Sequence, residues 1–337
     1  MSFPETKYMG SKQALLPFIT QELSRIHFQT AMDAFSGSGC VAYALKQAGK
    51  KVIANDFLKF AYHIAKATVE NSGTLLDTND VRSLIRRNGN RNHFIQEKYS
   101  GLYFSEIDCE FLDNVRANVD TLKSRLKRSI ALAALSRACM KKRPRGLFTF
   151  VGRKGWDGRR DLRLSMKDQF LNAVQLFNAA VFSNRQLNRA LCMDVFETPR
   201  KGIDLVYVDS PYVSPHSDCD YTRRYHFVEG LCAYWDGMEI QENTVTKKIK
   251  SYPTPFSNKS SIDEAFYRLF EHFNESIIVV SYGSNGYPKR EAMVRLLREF
   301  KRKVRVAQVS HKYCVGNHRH KVDDNNNQVM EYLFVAE

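Results

Sequence analysis

Leu205-Val206-Tyr207-Val208 is an apolar run, rich in β-branched and aromatic residues and too short for a helix, and it stops at Asp209-Ser210-Pro211-Tyr212. Such a run reads as a strand buried on both faces, the kind a parallel sheet carries. Pro211 ends the ladder because it has no N–H to give. Asp209 and its neighbours therefore fall in the crevice at a strand's carboxyl end, where open α/β sheets bind ligands. A carboxylate, a free backbone carbonyl and an aromatic ring side by side can hold a flat ring that bears an amino group, as a nucleobase does. Taken alone, the tetrapeptide is more often a plain turn, since Asp and Pro are ordinary turn residues.

The amino-terminal half carries a second nucleotide-binding pattern. Ala31 to Phe35 reads as a strand, Ser36-Gly37-Ser38-Gly39 as a tight turn, and Val41 to Gln47 as a helix closed by Gly49. A second strand, Val52 to Asn55, ends in Asp56, about 20 residues on, where an acid grips ribose hydroxyls. The third glycine of the dinucleotide fingerprint is missing, because positions 42 and 43 are Ala and Tyr. That disfavours NAD and an oxidoreductase, and leaves room for another adenosine cofactor. Upstream, Lys7-Tyr8-Met9-Gly10-Ser11-Lys12 leads into a helical pattern from Ala14 to Ile26, with Gly10 and Ser11 as turn and cap. Lys12 opposes the helix dipole there, so it is either simply solvated or aimed at an anion.

From Lys59 to about Arg189 the alternation of strand and helix stops, and helical stretches dominate (60–69, 111–122, 126–140 and 166–182). The sheet resumes with Ala190 to Met193, followed by Asp194, which is a turn residue or another acid at a strand end. Further strands are expected at Ile277 to Tyr282, Val304 to Val309 and Glu331 to Val335. The stretch from His311 to Gln328 reads as a long hairpin loop, whose His311, His318 and His320 lack ligand partners and are expected to face phosphate rather than metal.

Charge indicates the partner. The chain has a net charge of +15, and a pI near 9.4, which suits a polyanion. Residues 80–167 hold 21 Lys and Arg against nine Asp and Glu, so +12 of that excess lies in about a quarter of the chain. Within it, Lys141, Lys142, Arg143 and Arg145, then Arg153, Lys154, Arg159 and Arg160, occupy glycine-containing, loop-like segments beside Phe148, Phe150 and Trp156. Basic loops with aromatic wedges suit phosphate contact plus base contact, whereas a solvated linker is the bland alternative. Arg223, Arg224 and Lys312 complete the expected DNA-binding set. The seven cysteines are scattered and never form a Cys-x-x-Cys pair. They are expected to be reduced thiols in a cytoplasmic protein, with no zinc site. No apolar run reaches membrane-spanning length, and no signal peptide is apparent.

These landmarks stand in a familiar order. Lys7 to Lys12, Asp33-Ala34-Phe35-Ser36-Gly37-Ser38-Gly39, Asn55-Asp56, Asp194, Asp209 to Tyr212 and Tyr225-His226-Phe227-Val228-Glu229 together resemble the D12-class, Dam-like N6-adenine DNA methyltransferases. The resemblance implies a Rossmann-like α/β sheet that uses S-adenosyl-L-methionine. It places the catalytic domain in residues 1–58 and 190–337, and a mostly helical DNA-recognition insertion in 59–189. It also implies that Lys12 pairs with the cofactor's carboxylate, Tyr8 borders the cofactor, and the turn from Asp33 through Phe35, Ser36, Gly37 and Gly39 cradles its methionine. Asp56 would take the ribose and Asp194 the adenine amino group. The target adenine would leave the duplex. Asp209 and the Ser210 carbonyl would then accept its amino hydrogens, with Tyr212 stacked on the ring beside Pro211. The family usually has Pro where Ser210 stands; the carbonyl survives that change, and activity is expected to be retained. A cognate restriction endonuclease is an expected partner. Cytosine N4, adenine in RNA, or a non-catalytic DNA-binding protein of the same fold are the competing readings.

Overall fold

The computed structural model describes residues 2–152, 158–211, 213, 220–312 and 328–337, and in it the Leu205–Val208 run is the central strand of the sheet. The described strands are β1 (Thr30–Asp33), β2 (Lys51–Asn55), β3 (Arg189–Leu191), β4 (Leu205–Val208), β5 (Ile277–Gly283), β6 (Val304–Lys312) and β7 (Gln328–Ala336). They lie in the order β3-β2-β1-β4-β5-β7-β6. The first five pair in parallel, while β7 runs antiparallel between β5 and β6. This is the Rossmann-like order with a reversed strand added, and its switch point falls between β1 and β4. There Asp33 pairs in register with Tyr207, so Asp209 emerges just beyond it.

Both faces of the sheet are covered, which explains why β4 is apolar at every position. Leu205 and Tyr207 face α1 (Leu16–Leu23) and α2 (Cys40–Gln47), with Ile19, Leu23, Val41 and Leu45 in the same core. Val206 and Val208 face α11 (Ile262–His272) and α12 (Arg290–Phe300) through Phe266, Leu269, Met293 and Leu297. Each fully buried side chain of this kind contributes about 1.5–3 kcal/mol, so the site that follows β4 stands on a stiff base.

Between β2 and β3 run α3 (Lys59–Ala65, continued by a π-helical turn, Lys66–Glu70), α4 (Thr78–Ile85), α5 (Phe94–Tyr99), α6 (Glu106–Val119), α7 (Arg125–Lys141), α8 (Arg160–Arg163) and α9 (Met166–Ala179). Ser105, Ser124 and Ser165 cap α6, α7 and α9 by accepting from backbone N–H groups. Helix α7 is buried continuously from Ser129 to Met140, so it forms the axis of this layer. The same hydrophobic core also takes Tyr225, Phe227, Val228 and Leu231 from α10 (Tyr221–Ala233), plus Trp235 and Ile249. The helices that interrupt the sheet are thus packed onto the segment that follows β4.

Helix α11 was not expected from the sequence, although Ile262, Ala265, Phe266, Leu269 and Phe270 recur at helical spacing and all are buried. The hairpin expected around His311 to Gln328 exists as the β6–β7 pair. His318 and His320 lie outside the described residues, as do Trp156, Arg153, Lys154 and Tyr212. Among the described residues no cluster of potential metal ligands occurs, and no helix is long and apolar enough to cross a membrane.

Candidate active site

The turn after β1 is fixed by its neighbours on both sides. Ala34 N–H donates to the Tyr207 carbonyl at 3.0 Å and Ser36 N–H to the Asn55 carbonyl at 2.8 Å. The Asn55 amide in turn donates to the carbonyls of Ala34 and Met193, at 3.2 Å each, lacing the ends of β1, β2 and β3 together. Asp33, buried behind the turn, accepts from Ala42 N–H at 3.1 Å and so ties β1 to the first turn of α2. Gly37 sits at φ +48°, and a Cβ there would lie 2.9 Å from the Tyr8 ring. Only glycine meets both constraints.

Asp56, at the end of β2, holds two backbone amides: Gly37 N–H at 2.7 Å on one oxygen and Leu58 N–H at 2.9 Å on the other. Tyr8 lies over Gly37 and stacks on Tyr225 (centroids 5.1 Å apart, planes 4° apart) and on Tyr221 (5.7 Å, 21°). The Tyr225 hydroxyl accepts from Met9 N–H at 2.6 Å. Phe35 is half-buried, edge-on to Phe256 at 5.3 Å. Asp194 is exposed just past β3 and accepts from Phe196 N–H at 2.9 Å. Ser11 caps the turn Lys12–Leu15, as expected, and its hydroxyl lies 3.2 Å from that of Ser38.

Lys12 is buried, and its ammonium lies 2.7 Å from the Asp209 carboxylate. The lysine that could have been merely solvated is therefore aimed at an anion, and that anion is the catalytic candidate itself. Ser210 is buried beside it, and its hydroxyl has no partner among the described residues. Burial raises the pKa of Asp209 above the usual carboxylate range, and the Lys12 charge opposes that rise. Burial, then the charges of Asp209 and Asp56, push Asp33 up strongly. Burial raises Asp56 to about 6 against the pull of its amide donors.

The basic residues divide into two groups. Arg145, Arg159, Arg160, Arg223 and Lys312 are exposed, and Arg224 and Lys141 are half-buried. Arg143 differs from the expectation of a phosphate-facing loop residue, being fully buried. Its guanidinium donates to the carbonyls of Tyr103 at 3.3 Å, Phe150 at 2.5 Å and Gly152 at 3.1 Å, and it lies over the rings of Tyr103 and Phe150. Lys142 is also buried, donating to the Leu164 carbonyl at 2.6 Å and paired with Asp108 at 3.2 Å. Both fasten loops instead of facing solvent. Arg145, two residues on, is exposed in the left-handed region at φ 59°.

Residues 8–285 match the family model of the D12 class N6 adenine-specific DNA methyltransferases. The chain belongs to that family. It is 28% identical to the Type II methyltransferase M2.HphI of Haemophilus parahaemolyticus, over 99% of this chain and 98% of that protein. It is 26% identical to the Modification methylase StsI of Streptococcus sanguinis and to the Modification methylase LlaI of Lactococcus lactis subsp. lactis, over 87% of this chain. It spans only about half the length of those two, 46% and 49% respectively.

Sequence reasoning assigned no role to Asn55, Tyr221, Tyr225 or Glu229. A signal was present for three of them: Tyr221, Tyr225 and Glu229 recur every fourth residue, which on a helix makes one stripe.

Proposed function

We propose that this D12 methyltransferase transfers a methyl group from S-adenosyl-L-methionine to N6 of an adenine flipped out of duplex DNA. The observation that carries the residue assignments is the Lys12–Asp209 pair, where the Gly-turn crevice meets the end of β4.

The residues of the crevice fit the cofactor. S-adenosyl-L-methionine has a sulfonium, an ammonium and one carboxylate, a net cation. The carboxyl groups of Asp56 and Asp209 outnumber Lys12 here, a balance that suits such a ligand and would repel a dinucleotide's phosphates. Asp33 Oδ1, Ser36 Oγ and Asn55 Oδ1 are buried without a hydrogen-bond partner among the described residues, so the floor has polar capacity to spare. When bound, the cofactor supplies an electrophilic methyl group. Asp56 would take the ribose hydroxyls, Asp194 the adenine amino group, and Tyr8, Phe35, Ser36, Gly37 and Gly39 would border the methionine. Lys12 already reaches the carboxylate of Asp209, and it would hold the cofactor's carboxylate in its place.

Adenine N6 is a weak nucleophile because its lone pair is delocalised into the ring. Asp209 and the Ser210 carbonyl would accept its two hydrogens and draw the nitrogen toward tetrahedral geometry. Pro211 would keep Ser210 extended, and Tyr212 would stack on the ring. Positioning and charge stabilisation carry most of such a rate. Duplex DNA would lie across Arg145, Arg159, Arg160, Arg223, Arg224, Lys312 and Lys141, with Arg153 and Lys154 in the same basic segment and the helices between β2 and β3 serving recognition. Because the relatives are modification methylases, we assign the enzyme to a restriction-modification system with a cognate endonuclease.

Calorimetric titration with S-adenosyl-L-methionine tests the cofactor assignment. Saturable binding by the wild type, weakened at least tenfold by Asp56→Ala, is the expected result. No binding by the folded wild type would contradict it.

A further inference from the structure

Glu229 belongs to a segment whose neighbours line the site, yet nothing above gives it a task. Its side chain is buried, and its two oxygens accept from Lys59 N–H at 3.1 Å and Phe60 N–H at 3.2 Å, the first amides of α3. The preceding amide, Leu58 N–H, is held by Asp56 at 2.9 Å. Three successive N–H groups are therefore satisfied by two carboxylates from different parts of the chain. The opening amides of a helix otherwise have no partner, so these bonds fix where α3 begins. They also fix the short link Asp56-Phe57-Leu58, because Asp56 is bonded to Leu58 at one end and to the Gly37 turn at the other.

The same face of α10 reaches the crevice a second time. Tyr221 and Tyr225, two turns and one turn before Glu229, stack on Tyr8, which presses on Gly37. Phe60 closes the gap, its ring 5.3 Å from Tyr225 and 6.1 Å from Tyr8. A stripe of three residues on one helix thus supports both sides of the turn that Asp56 grips.

We propose that Glu229 is a positioning residue for cofactor binding: by holding the amino end of α3 it sets the Asp56 carboxylate where it meets the ribose. This rests on the cofactor reading above. It accounts for a carboxylate at a buried site, since its two oxygens serve both amides.

The test is a double-mutant cycle on S-adenosyl-L-methionine affinity, measured by calorimetry on folded protein, using Glu229→Ala, Asp56→Ala and the pair. Glu229→Ala is expected to weaken cofactor binding about tenfold, Glu229→Gln two- to threefold, and Glu229→Ala in the Asp56→Ala background less than twofold. The affinity of the same variants for duplex DNA without cofactor should stay within twofold, which general loosening would not allow. Additive losses in the cycle, or an unchanged cofactor affinity in Glu229→Ala, would overturn the proposal. If Glu229→Ala does not fold, Glu229→Gln serves in the cycle, and its loss must again vanish without Asp56. Absence of cofactor binding by the wild type would instead defeat the cofactor reading itself.

Discussion

The ammonium of Lys12 lies 2.7 Å from the carboxylate of Asp209, joining the first helical turn of the chain to the end of its central strand. Lys12 is 4% exposed and Asp209 19%, so the pair is poorly screened. Burial raises the pKa of Asp209, and the Lys12 charge opposes this. In the proposed mechanism the ionised Asp209 accepts one hydrogen of the amino group and the Ser210 carbonyl the other. Lys12→Met should therefore move the acid limb of the pH profile of kcat/KM for the cofactor, which reports the free enzyme where the pair is intact, to higher pH. An acid limb that stays in place would show that the pair does not set the ionisation of Asp209.

Gly37 is where the turn after β1 is least tolerant. A methyl group there meets the Tyr8 ring at 2.9 Å and has to accept φ +48°. Gly37→Ala should cost about 1 kcal/mol in backbone strain alone. It should also displace Tyr8 from its stack on Tyr225, so cofactor affinity falls at least tenfold while the protein stays folded. Calorimetry beside thermal melting separates the two effects.

Arg143 and Arg145 should behave differently despite their proximity. DNA affinity falls with salt in proportion to the phosphates a protein contacts, by about one unit of slope for each. Arg145 is exposed, and Arg145→Ala should lower that slope by about one. Arg143 is buried among carbonyls, and Arg143→Met should leave the slope unchanged while lowering the melting temperature. Fluorescence anisotropy across a salt series reads both slopes.

Burial raises the pKa of Glu229 to about 7 from an ordinary value of 4.5. The folded state then binds this proton more tightly than the unfolded state does. Its contribution to stability is present below pH 4.5 and is lost as pH rises toward 7, on the order of 3 kcal/mol in all. Glu229→Gln removes that titration. The variant should gain stability relative to wild type between pH 5 and 8, measured by urea denaturation at each pH. A stability difference that does not change with pH would mean that Glu229 does not titrate there.

The middle of the sheet was legible because β4 and β5 are short apolar runs, and β4 is buried on both faces as its sequence demands. The Gly-turn, Asp56 and Asp209 were legible because strand ends in such a sheet converge whatever the loops do. The helical layer was harder to read. Helix α7 was read at 126–140 and runs Arg125–Lys141, whereas α4 and α5 span only eight and six residues, too short to show a repeating stripe. The basic segment was misleading at Arg143 and Lys142, because composition cannot tell an arginine facing phosphate from one that fastens its own loop to carbonyls. The pairing of Lys12 with Asp209 joins residues far apart in the chain, and only the fold reveals it.

The central claim is that Asp209 presents adenine N6 for methylation. Purified protein, mixed-sequence duplex DNA and S-adenosyl-L-methionine are incubated together, the DNA is digested to nucleosides, and the methylated base is identified by mass. The account predicts N6-methyladenine with the wild type and none with Asp209→Ala. N4-methylcytosine in its place, or N6-methyladenine that persists in Asp209→Ala, would contradict it.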